Sequence, residues 1–296
     1  MVLTIIDSAA DPELDAATAD TVRRALSAAG ADLGDVRWLH RFSACDIPFT
    51  GLDAPTGLGA ARACLEGWPL DVIAQPAVGR RKKLLVADMD STMVQGETLD
   101  ELADFAGVMG QVAQITERAM NGEIRFRDAL EERVGLLAGL SAEALEKTWA
   151  RVQDTPGAAR LVKTMNAQGA RTVLVSGGFD FFTAKVAARL GFHRHLGNRL
   201  ELDGDALTGR VLDPIVTKDT KKHVLEEEAA RLGIPLTETL AVGDGANDLP
   251  MLLTAGLGVA FRSKPVVAAS AHHRVDHGDI TALLYAQGYT RAEFHE

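Results

Sequence analysis

The pattern of apolar and polar positions along this chain changes near residue 84. Before residue 80, short apolar runs are separated by an amphipathic stretch and by a Gly/Pro-rich stretch at 48–59. From residue 84 onward, continuous apolar runs lie between long amphipathic stretches. Buried parallel strands give continuous apolar runs, because helices cover both faces of their sheet. The pattern therefore predicts two units, residues 1–80 and residues 84–296.

Residues 1–80 are predicted to form a small α+β unit. Strands are expected at 2–6, 36–42 and 70–75, with one helix over 11–30 and a short helix that ends near Gly67. Asp11 is a candidate N-cap of the first helix, and Pro12 is its expected first residue. The resulting order, β-α-β-(β)-α-β, is typical of a ferredoxin-like sandwich. By this element order the unit resembles an ACT-type regulatory domain.

Residues 84–296 are predicted to form an α/β core. Apolar runs at 84–88, 172–178, 239–245 and 257–261 indicate strands of a Rossmann-like parallel sheet with helices on both faces. Over 80 residues separate the first two of these runs, which is too many for a single crossover helix. Amphipathic patterns fill that segment and predict a helical cap inserted at about 97–155.

Composition and charge narrow the function classes. The chain has 296 residues and a formal net charge of −10, which argues against a general binder of nucleic acid or of anionic membranes. Its two cysteines, Cys45 and Cys64, are too few for a disulfide scaffold or a Cys-rich zinc site. No apolar run is long enough to span a bilayer, and the N-terminus lacks the basic stretch of a signal peptide. A cytoplasmic protein is therefore expected.

Asp88 and Asp90 directly follow the first strand of the predicted core. In open α/β sheets, binding sites form outside the carboxyl ends of the strands. Two carboxylates two residues apart repel each other unless a cation lies between them. The pair therefore suggests a nucleophile, Asp88, and a general acid–base, Asp90, beside Mg²⁺. The alternative for this pair alone is a polar loop or a helix cap.

Three further polar segments carry complementary chemistry. Ser176, Gly177 and Gly178 offer a hydroxyl and backbone amides that can hold phosphate oxygens. Segment 243–248 adds carboxylates to an oxygen-rich Mg²⁺ site, and the lysines of 218–222 can pair with phosphate. Each segment alone is compatible with an ordinary turn or a solvated helix start. Three polar loops after three strands of one sheet together predict a metal–phosphate site.

The order DxDxT, SGG, K and GDGxND resembles the motif order of the haloacid dehalogenase (HAD) superfamily of Mg²⁺-dependent phosphohydrolases. The stretches DMDSTMVQGETLDELA, ITERAMNGEIRF, VSGGFDFF and VGDGANDLPML are similar to the phosphoserine phosphatase family within it. The similarity covers residues 84–290. It implies hydrolysis of O-phospho-L-serine to serine and phosphate through an aspartyl-phosphate, which is the last step of serine biosynthesis.

The resemblance also implies a role for individual residues. Asp88 is the nucleophile and Asp90 the general acid–base, while Asp88, the backbone carbonyl of Asp90 and Asp244 bind Mg²⁺. Lys221 is preferred to its neighbouring lysines, because gap-free matching from the SGG motif reaches that position. The residues expected to bind or surround the phosphate are Ser176, Gly177, Lys221 and Asn247, with Asp248 as a further candidate near the metal.

The substrate pocket implied by the resemblance lies in the cap. A phosphoserine head carries an ammonium and a carboxylate group, which we expect Glu97 and Arg133 to bind, respectively. An arginine fork suits a carboxylate. Met120 and Phe126 are expected to cover the pocket. A homodimer is expected only because ACT-like units often pair.

Two other functions stay open at this point. The chain is alternatively a HAD phosphatase or phosphotransferase for another small phosphomonoester, and Glu97 and Arg133 discriminate because such a substrate would leave both unpaired. The alternative from another class is an amino-acid sensor whose residues 1–80 bind an effector. The complete set of catalytic residues argues against the sensor.

Overall fold

An antiparallel sheet of five strands organises the first 75 residues of the chain. The computed structural model describes residues 1–8, 12–120 and 123–296, and the side chain of Met120 is outside that description. The elements of this part are β1 (Val2–Ile6), α1 (Ala16–Ala28), β2 (Asp32–Leu33), β3 (Arg37–His40), β4 (Ala44–Thr50), α2 (Ala54–Cys64) and β5 (Asp71–Gln75). The strand order is β2-β4-β1-β5, and β3 also pairs with β4. Leu3, Ile5 and Ile47 of the sheet pack with Val22 of α1 and Leu58 of α2 in one buried cluster.

Two details of this part differ from the sequence prediction. Helix α1 begins at residue 16, after Pro12, and its N-cap is Asp15, whose carboxylate accepts the Thr18 N–H at 2.8 Å. The predicted cap, Asp11, lies outside the described residues. Strand β4 runs through Pro48, which the sequence placed in a Gly/Pro-rich stretch. The Pro48 carbonyl accepts the Gly34 N–H, so the side that lacks an N–H faces the gap between β2 and β3.

A mostly parallel sheet of seven strands forms the core of the rest of the chain, in the order β12-β11-β10-β6-β7-β8-β9. Every neighbouring pair is parallel except β8 and β9. Strands β6, β10 and β11 are buried at every position, as their continuous apolar sequences predict. The strands are β6 (Leu84–Ala87), β7 (Arg171–Phe179), β8 (Arg194–Asp203), β9 (Ala206–Leu212), β10 (Thr239–Gly243), β11 (Leu257–Phe261) and β12 (His273–Val275).

Helices follow most of these strands and form the cap between β6 and β7. The cap helices are α3 (Thr98–Phe105), α4 (Met109–Met120), α5 (Phe126–Gly135) and α6 (Glu143–Arg151). The remaining helices are α7 (Ala158–Ala167), α8 (Asp180–Leu190), α9 (Lys218–Leu232), α10 (Leu249–Thr254), α11 (Pro265–Ser270) and α12 (Ala282–Ala286). The chain that leaves for the cap and the chain that returns are hydrogen-bonded, because Gln95 N–H donates to Gln153 O at 2.9 Å.

The hairpin of β8 and β9 was not predicted, and it supports the cap. Its turn reaches the segment after α5, where the Gly139 N–H donates to Leu207 O at 2.8 Å and the Ala142 N–H donates to Asp205 O at 2.7 Å. Gly209 lies so close to the end of α5 and the segment after it that a Cβ there would be 3.2 Å from Gly135 O and 2.9 Å from the Ala138 Cβ. The cap is therefore held by contacts of two kinds: those of its hinge segments, which are the two chain segments that connect it to the core, and those of this hairpin.

The second face of the N-terminal sheet packs on the C-terminal part of the chain. Ile6, Leu39 and Ile73 belong to the same buried cluster as Leu283 and Tyr285, which lie in α12. The Gln75 side chain adds a buried hydrogen bond by donating to Ala286 O at 2.8 Å. Both faces of this sheet are thus covered. None of the described helices is both long and apolar enough to cross a membrane.

Candidate active site

The predicted polar segments meet at one edge of the large sheet. Strand β6 lies between β10 and β7, and all three are parallel. Asp88 follows β6 and Asp244 follows β10 at their carboxyl ends. Ser176 lies inside β7 rather than after it, because the strand continues to Phe179. Its pairing with β8 is irregular between Val175 and Phe179, and this irregular segment takes the place of the predicted loop.

Lys221 is buried between two carboxylates at this edge. Its Nζ lies 2.7 Å from Asp88 Oδ1 and 2.6 Å from Asp248 Oδ1. Asp88, Asp244 and Asp248 each offer an oxygen, and these oxygens lie within 4.8 Å of one another. Three buried carboxylates therefore share one ammonium group among the described residues, which leaves the cluster with excess negative charge.

The crowding shifts the proton affinities of these groups. Burial, followed by the charge of Asp248, raises the pKa of Asp88 well above its usual value, although Lys221 opposes the shift. Burial and Asp248 likewise raise the pKa of Asp244 to about 6. Burial would lower the pKa of Lys221, but the charges of Asp248 and Asp88 outweigh it and raise that pKa above its ordinary value. The ammonium group stays charged, and the charges of Lys264 and Lys221 do not cancel the rise in the pKa of Asp244.

The donor set of this cluster fits Mg²⁺. Every candidate ligand atom from Asp88, Asp244 and Asp248 is a carboxylate oxygen, the type that hard divalent cations prefer. A divalent cation would also offset the excess charge that raises the two carboxyl pKa values. Thr92 Oγ1 donates to Asp244 Oδ1 at 3.4 Å and holds that carboxylate toward the cluster.

The Asp90 carboxyl group points away from the cluster and joins two other elements. Its Oδ1 accepts the Thr98 N–H at 2.9 Å, at the start of cap helix α3, and its Oδ2 accepts the Ser176 hydroxyl at 3.3 Å. Burial and then the charge of Glu97 raise the pKa of Asp90 to about 7. A carboxyl group with a pKa near neutrality is suited to taking up and giving back a proton.

Glycines allow this close approach of the backbone. A Cβ on Gly178 would lie 2.6 Å from Asp90 Oδ2 and 3.1 Å from Ser176 Oγ. The Gly178 N–H donates to Ser176 Oγ at 2.8 Å, which fixes the hydroxyl. A Cβ on Gly243 would clash with the Asp248 carboxylate. Side chains at these two positions would displace the Asp90 and Asp248 carboxyl groups.

The cap brings some of its predicted residues to the site. The Phe126 ring lies over Gly177, 3.4 Å from where a Cβ would stand. Glu97 is exposed and accepts the Ser91 hydroxyl at 2.9 Å. The Arg133 guanidinium is half-buried and donates to Ala129 O and to the Thr116 hydroxyl, and it forms no ion pair with a described carboxylate. The side chain of Met120, the fourth predicted pocket residue, lies outside the described residues.

Two residues of the GDGAND segment differ in their placement. Asn247 is half-buried with its amide oxygen against Gly245, and no described residue forms a hydrogen bond with its side chain. Asp248 is fully buried, and its Oδ2 accepts the Gly245 N–H at 3.0 Å while Oδ1 holds Lys221. The family resemblance made Asp248 a further candidate near the metal, and the structure brings its carboxylate into the cluster with Asp88 and Asp244. The sequence contains a signal for this placement, because Asp248 lies four residues after Asp244 and directly precedes helix α10.

Comparison with known proteins agrees with this arrangement. The family model of haloacid dehalogenase-like hydrolases matches residues 85–253. A phosphoserine phosphatase of Archaeoglobus fulgidus is 44% identical over 216 residues, which are 72% of this chain and 63% of that protein. The chain thus spans less than two thirds of that relative. A phosphoserine phosphatase of Streptococcus thermophilus is 47% identical over 203 residues, 69% of this chain and 94% of its own length.

A solved structure resembles the whole chain, including its N-terminal part. The crystal structure of a probable phosphoserine phosphatase from Vibrio cholerae, in its unliganded form, superposes with a TM-score of 0.80 at 30% identity. The match covers 99% of this chain and 88% of the other. The resemblance read from the sequence motifs is thereby confirmed. Since the family model covers more than half of the chain and the streptococcal relative matches over nearly all its length, the chain belongs to the phosphoserine phosphatase family of haloacid dehalogenase-like hydrolases.

Proposed function

We propose that this chain hydrolyses O-phospho-L-serine to L-serine and phosphate. The observation that carries the proposal is the buried cluster of Asp88, Lys221, Asp244 and Asp248 beside Ser176, in a chain 47% identical to a named phosphoserine phosphatase. The cluster supplies a carboxylate nucleophile, a cation for phosphate oxygens and ligands for a metal at one strand edge. The chain covers only part of some relatives, so its activity needs its own test.

The chemistry proceeds in two steps. An oxygen of Asp88 attacks phosphorus in line, the bond from phosphorus to the serine oxygen breaks, and Asp90 gives its proton to that oxygen. A water molecule then gives a proton to Asp90 and attacks phosphorus, which breaks the bond to Asp88 and frees phosphate. Splitting the reaction lowers each barrier. Lys221, together with a metal ion in the cluster, would keep Asp88 ionised for the attack.

The remaining residues bind and orient. Ser176, the Gly177 amide and Lys221 hold phosphate oxygens where negative charge is stabilised, with Asn247 nearby. Asp88, the backbone carbonyl of Asp90 and Asp244 would hold Mg²⁺, with Asp248 beside them. Mg²⁺ bound there would neutralise charge on the phosphoryl group as it is transferred.

Specificity for the amino-acid head is assigned to Glu97 and Arg133. Arg133 is half-buried without an ion-pair partner among the described residues, so its fork is available for the serine carboxylate. Glu97 lies at the start of α3, where its negative charge contributes to the raised pKa of Asp90 and attracts the Arg133 guanidinium. Phe126 covers the phosphate-binding strand from the cap side. Closure of the cap over this head would exclude water in the first step.

We also propose that residues 1–80 and 84–296 are two domains and that the first is ACT-like. The support is its order of elements and the antiparallel strand order β2-β4-β1-β5 with both helices on one face. Pairing of these units into a homodimer and a cytoplasmic location remain predictions.

The test is phosphate release from O-phospho-L-serine with Mg²⁺, compared with EDTA and with Asp88→Asn. Asp219→Asn is the matched control, because Asp219 is an exposed acid of the same helix as Lys221. Release that is lost with EDTA and in Asp88→Asn but kept in the control supports the proposal. Cleavage of p-nitrophenyl phosphate but not of phosphoserine would support the phosphatase chemistry and refute phosphoserine as the substrate. No cleavage of either would favour the sensor.

A second test addresses the head group. Arg133→Met should raise KM for phosphoserine by tenfold or more, because a bidentate charged contact is lost, and should leave kcat/KM for p-nitrophenyl phosphate unchanged. Arg127→Met is the control, since Arg127 is an exposed arginine of α5 that pairs with Asp213. An equal loss on both substrates would show that Arg133 supports the fold of the cap rather than the substrate.

A further inference from the structure

A cleft lies between the end of helix α2 and the residues around β12, the edge strand of the large sheet that β11 and β10 separate from β6. It encloses about 190 Å³. Its polar walls come from both parts of the chain. Arg62 and Asp71 belong to the first 75 residues, Arg274 belongs to β12, and Asp276 follows that strand. Leu65, Leu70 and Val72 give it an apolar side, and the half-exposed Trp68 lies at its rim.

The Arg62 side chain in this cleft has an unpaired nitrogen among the described residues. Its Nη2 is buried without a hydrogen bond, and no described carboxylate forms an ion pair with it. A guanidinium group stays charged in proteins, and burial followed by the charge of Arg274 lowers the pKa of Arg62, which the charges of Asp276 and Asp71 only partly oppose. A buried N–H nitrogen without a hydrogen bond is uncommon in folded proteins, because its contact with water has been lost and not replaced. Such a group points to an anion that is bound from outside.

The neighbouring acids are already engaged. Asp276 accepts from Arg274 Nε at 2.7 Å. Both carboxylate oxygens of Asp71 accept backbone N–H groups, from Asp276 at 2.7 Å and from Gly278 at 2.9 Å. These acids therefore hold the loop after β12, and their charges act on Arg62 without forming a hydrogen bond or an ion pair with it. His273, which stands beside Arg62, also has a buried Nδ1 without a partner among the described residues.

We infer that the cleft binds a small monocarboxylate, whose carboxylate group pairs with Arg62 and whose body packs on Trp68 and the apolar wall. A dianion such as sulfate fits less well, because Glu66, Asp71 and Asp276 also line the cleft and repel a second negative charge. The apolar wall suits a short branched alkyl group. The carboxylate can come from a simple organic acid or from an amino acid, and Glu66 at the rim is placed for an ammonium group.

Binding is measured on the full chain by fluorescence of Trp68 with three probes: 3-methylbutanoate, L-valine and sulfate. Saturable binding of 3-methylbutanoate or L-valine, weakened at least tenfold in Arg62→Met and less in Arg62→Lys, supports the inference. Binding of both probes identifies any carboxylate as the ligand, and binding of L-valine alone identifies an amino acid. Arg24→Met, at an exposed arginine of α1, is the matched control and should bind as the parent does.

Further variants separate binding from folding and from the active site. Arg133→Met should leave the titration unchanged, since that residue belongs to the proposed substrate pocket. Trp68→Phe should abolish the optical signal, and isothermal titration should still detect binding. Arg62→Met should melt at the same or a higher temperature without ligand, whereas a purely structural arginine would lower the melting temperature. Sulfate bound more tightly than either carboxylate, no binding at all, or binding unchanged in Arg62→Met would overturn the inference.

Discussion

Removal of the charge of Lys221 is the sharpest test of the buried cluster. Lys221→Met keeps the length of the side chain and leaves Asp88, Asp244 and Asp248 without their ammonium group. Breaking a buried pair by removing one partner costs about 3–5 kcal/mol, because the remaining charge stays desolvated. We therefore expect the free energy of unfolding at pH 8, in EDTA, to fall by about that amount.

The pH dependence distinguishes this cause from a loss of packing. The pKa of Asp244 is raised to about 6 and that of Asp88 well above its usual value. A carboxyl group with a raised pKa destabilises the fold as pH rises through that pKa, and it is neutral below it. At pH 5 the Asp88 and Asp244 carboxyl groups of the Lys221→Met variant are therefore largely protonated. The loss of stability should be clearly smaller at pH 5 than at pH 8.

The assay is urea unfolding followed by circular dichroism at both pH values, with and without Mg²⁺. Lys222→Met is the control, because Lys222 is exposed and its contact with Glu226 is 3.6 Å long, so its loss should cost under about 0.5 kcal/mol. Mg²⁺ should restore part of the stability of Lys221→Met, since it replaces the missing cation. Equal losses at pH 5 and pH 8, or a loss at pH 8 no larger than in the control, would refute the reasoning.

Three other changes test separate parts of the structure. Gly178→Ala should lower kcat/KM for phosphoserine at least tenfold, because its Cβ would lie 2.6 Å from Asp90 Oδ2, while Gly177→Ala should lower it less. Burial and nearby cations lower the pKa of His273 to about 4, so the parent loses stability as pH falls from about 6.5 to 4. Measured by urea unfolding, the free energy of unfolding of His273→Asn should fall by about 2 kcal/mol less than that of the parent between pH 7 and pH 4.5. Mg²⁺ should raise the melting temperature of the parent, and Asp244→Asn should abolish that shift.

Sequence reasoning reached the parts of the site that follow from strand order. Asp88 and Asp244 were predictable because the carboxyl ends of parallel strands share an edge. Lys221 was chosen from a run of solvated lysines only by family matching. The phase of its helix held a physical signal, since Val224, Leu225 and Glu228 are buried three, four and seven residues later and place Lys221 on the inner face.

Other features depend on contacts that a linear pattern does not show. The hairpin of β8 and β9 was missed, although alternating positions flank the turn at Gly204. The extent of β7 beyond Val175 depends on an irregular register with β8. Asp15 replaced the predicted helix cap because its carboxylate reaches Thr18, three residues on. The sequence pattern shows a separate apolar core for each unit. It therefore does not show that the second face of the N-terminal sheet packs on α12.

That second face connects the cleft at Arg62 with the cap. Asp71, at the start of β5, holds the backbone of residues 276–278, and the Asp279 N–H donates to Ser8 O at 3.2 Å. The same loop then packs on Gly157, where a Cβ would lie 2.6 Å from Thr281 Cγ2, and Gly157 belongs to the chain that returns from the cap. A ligand beside Asp276 therefore contacts a loop whose other end touches the hinge of the cap. Because this loop is held by the N-terminal sheet, deletion of residues 1–80 would remove the cleft and would also expose the face of α12 that the sheet covers. Point substitutions such as Arg62→Met separate those two effects, which a truncated chain cannot.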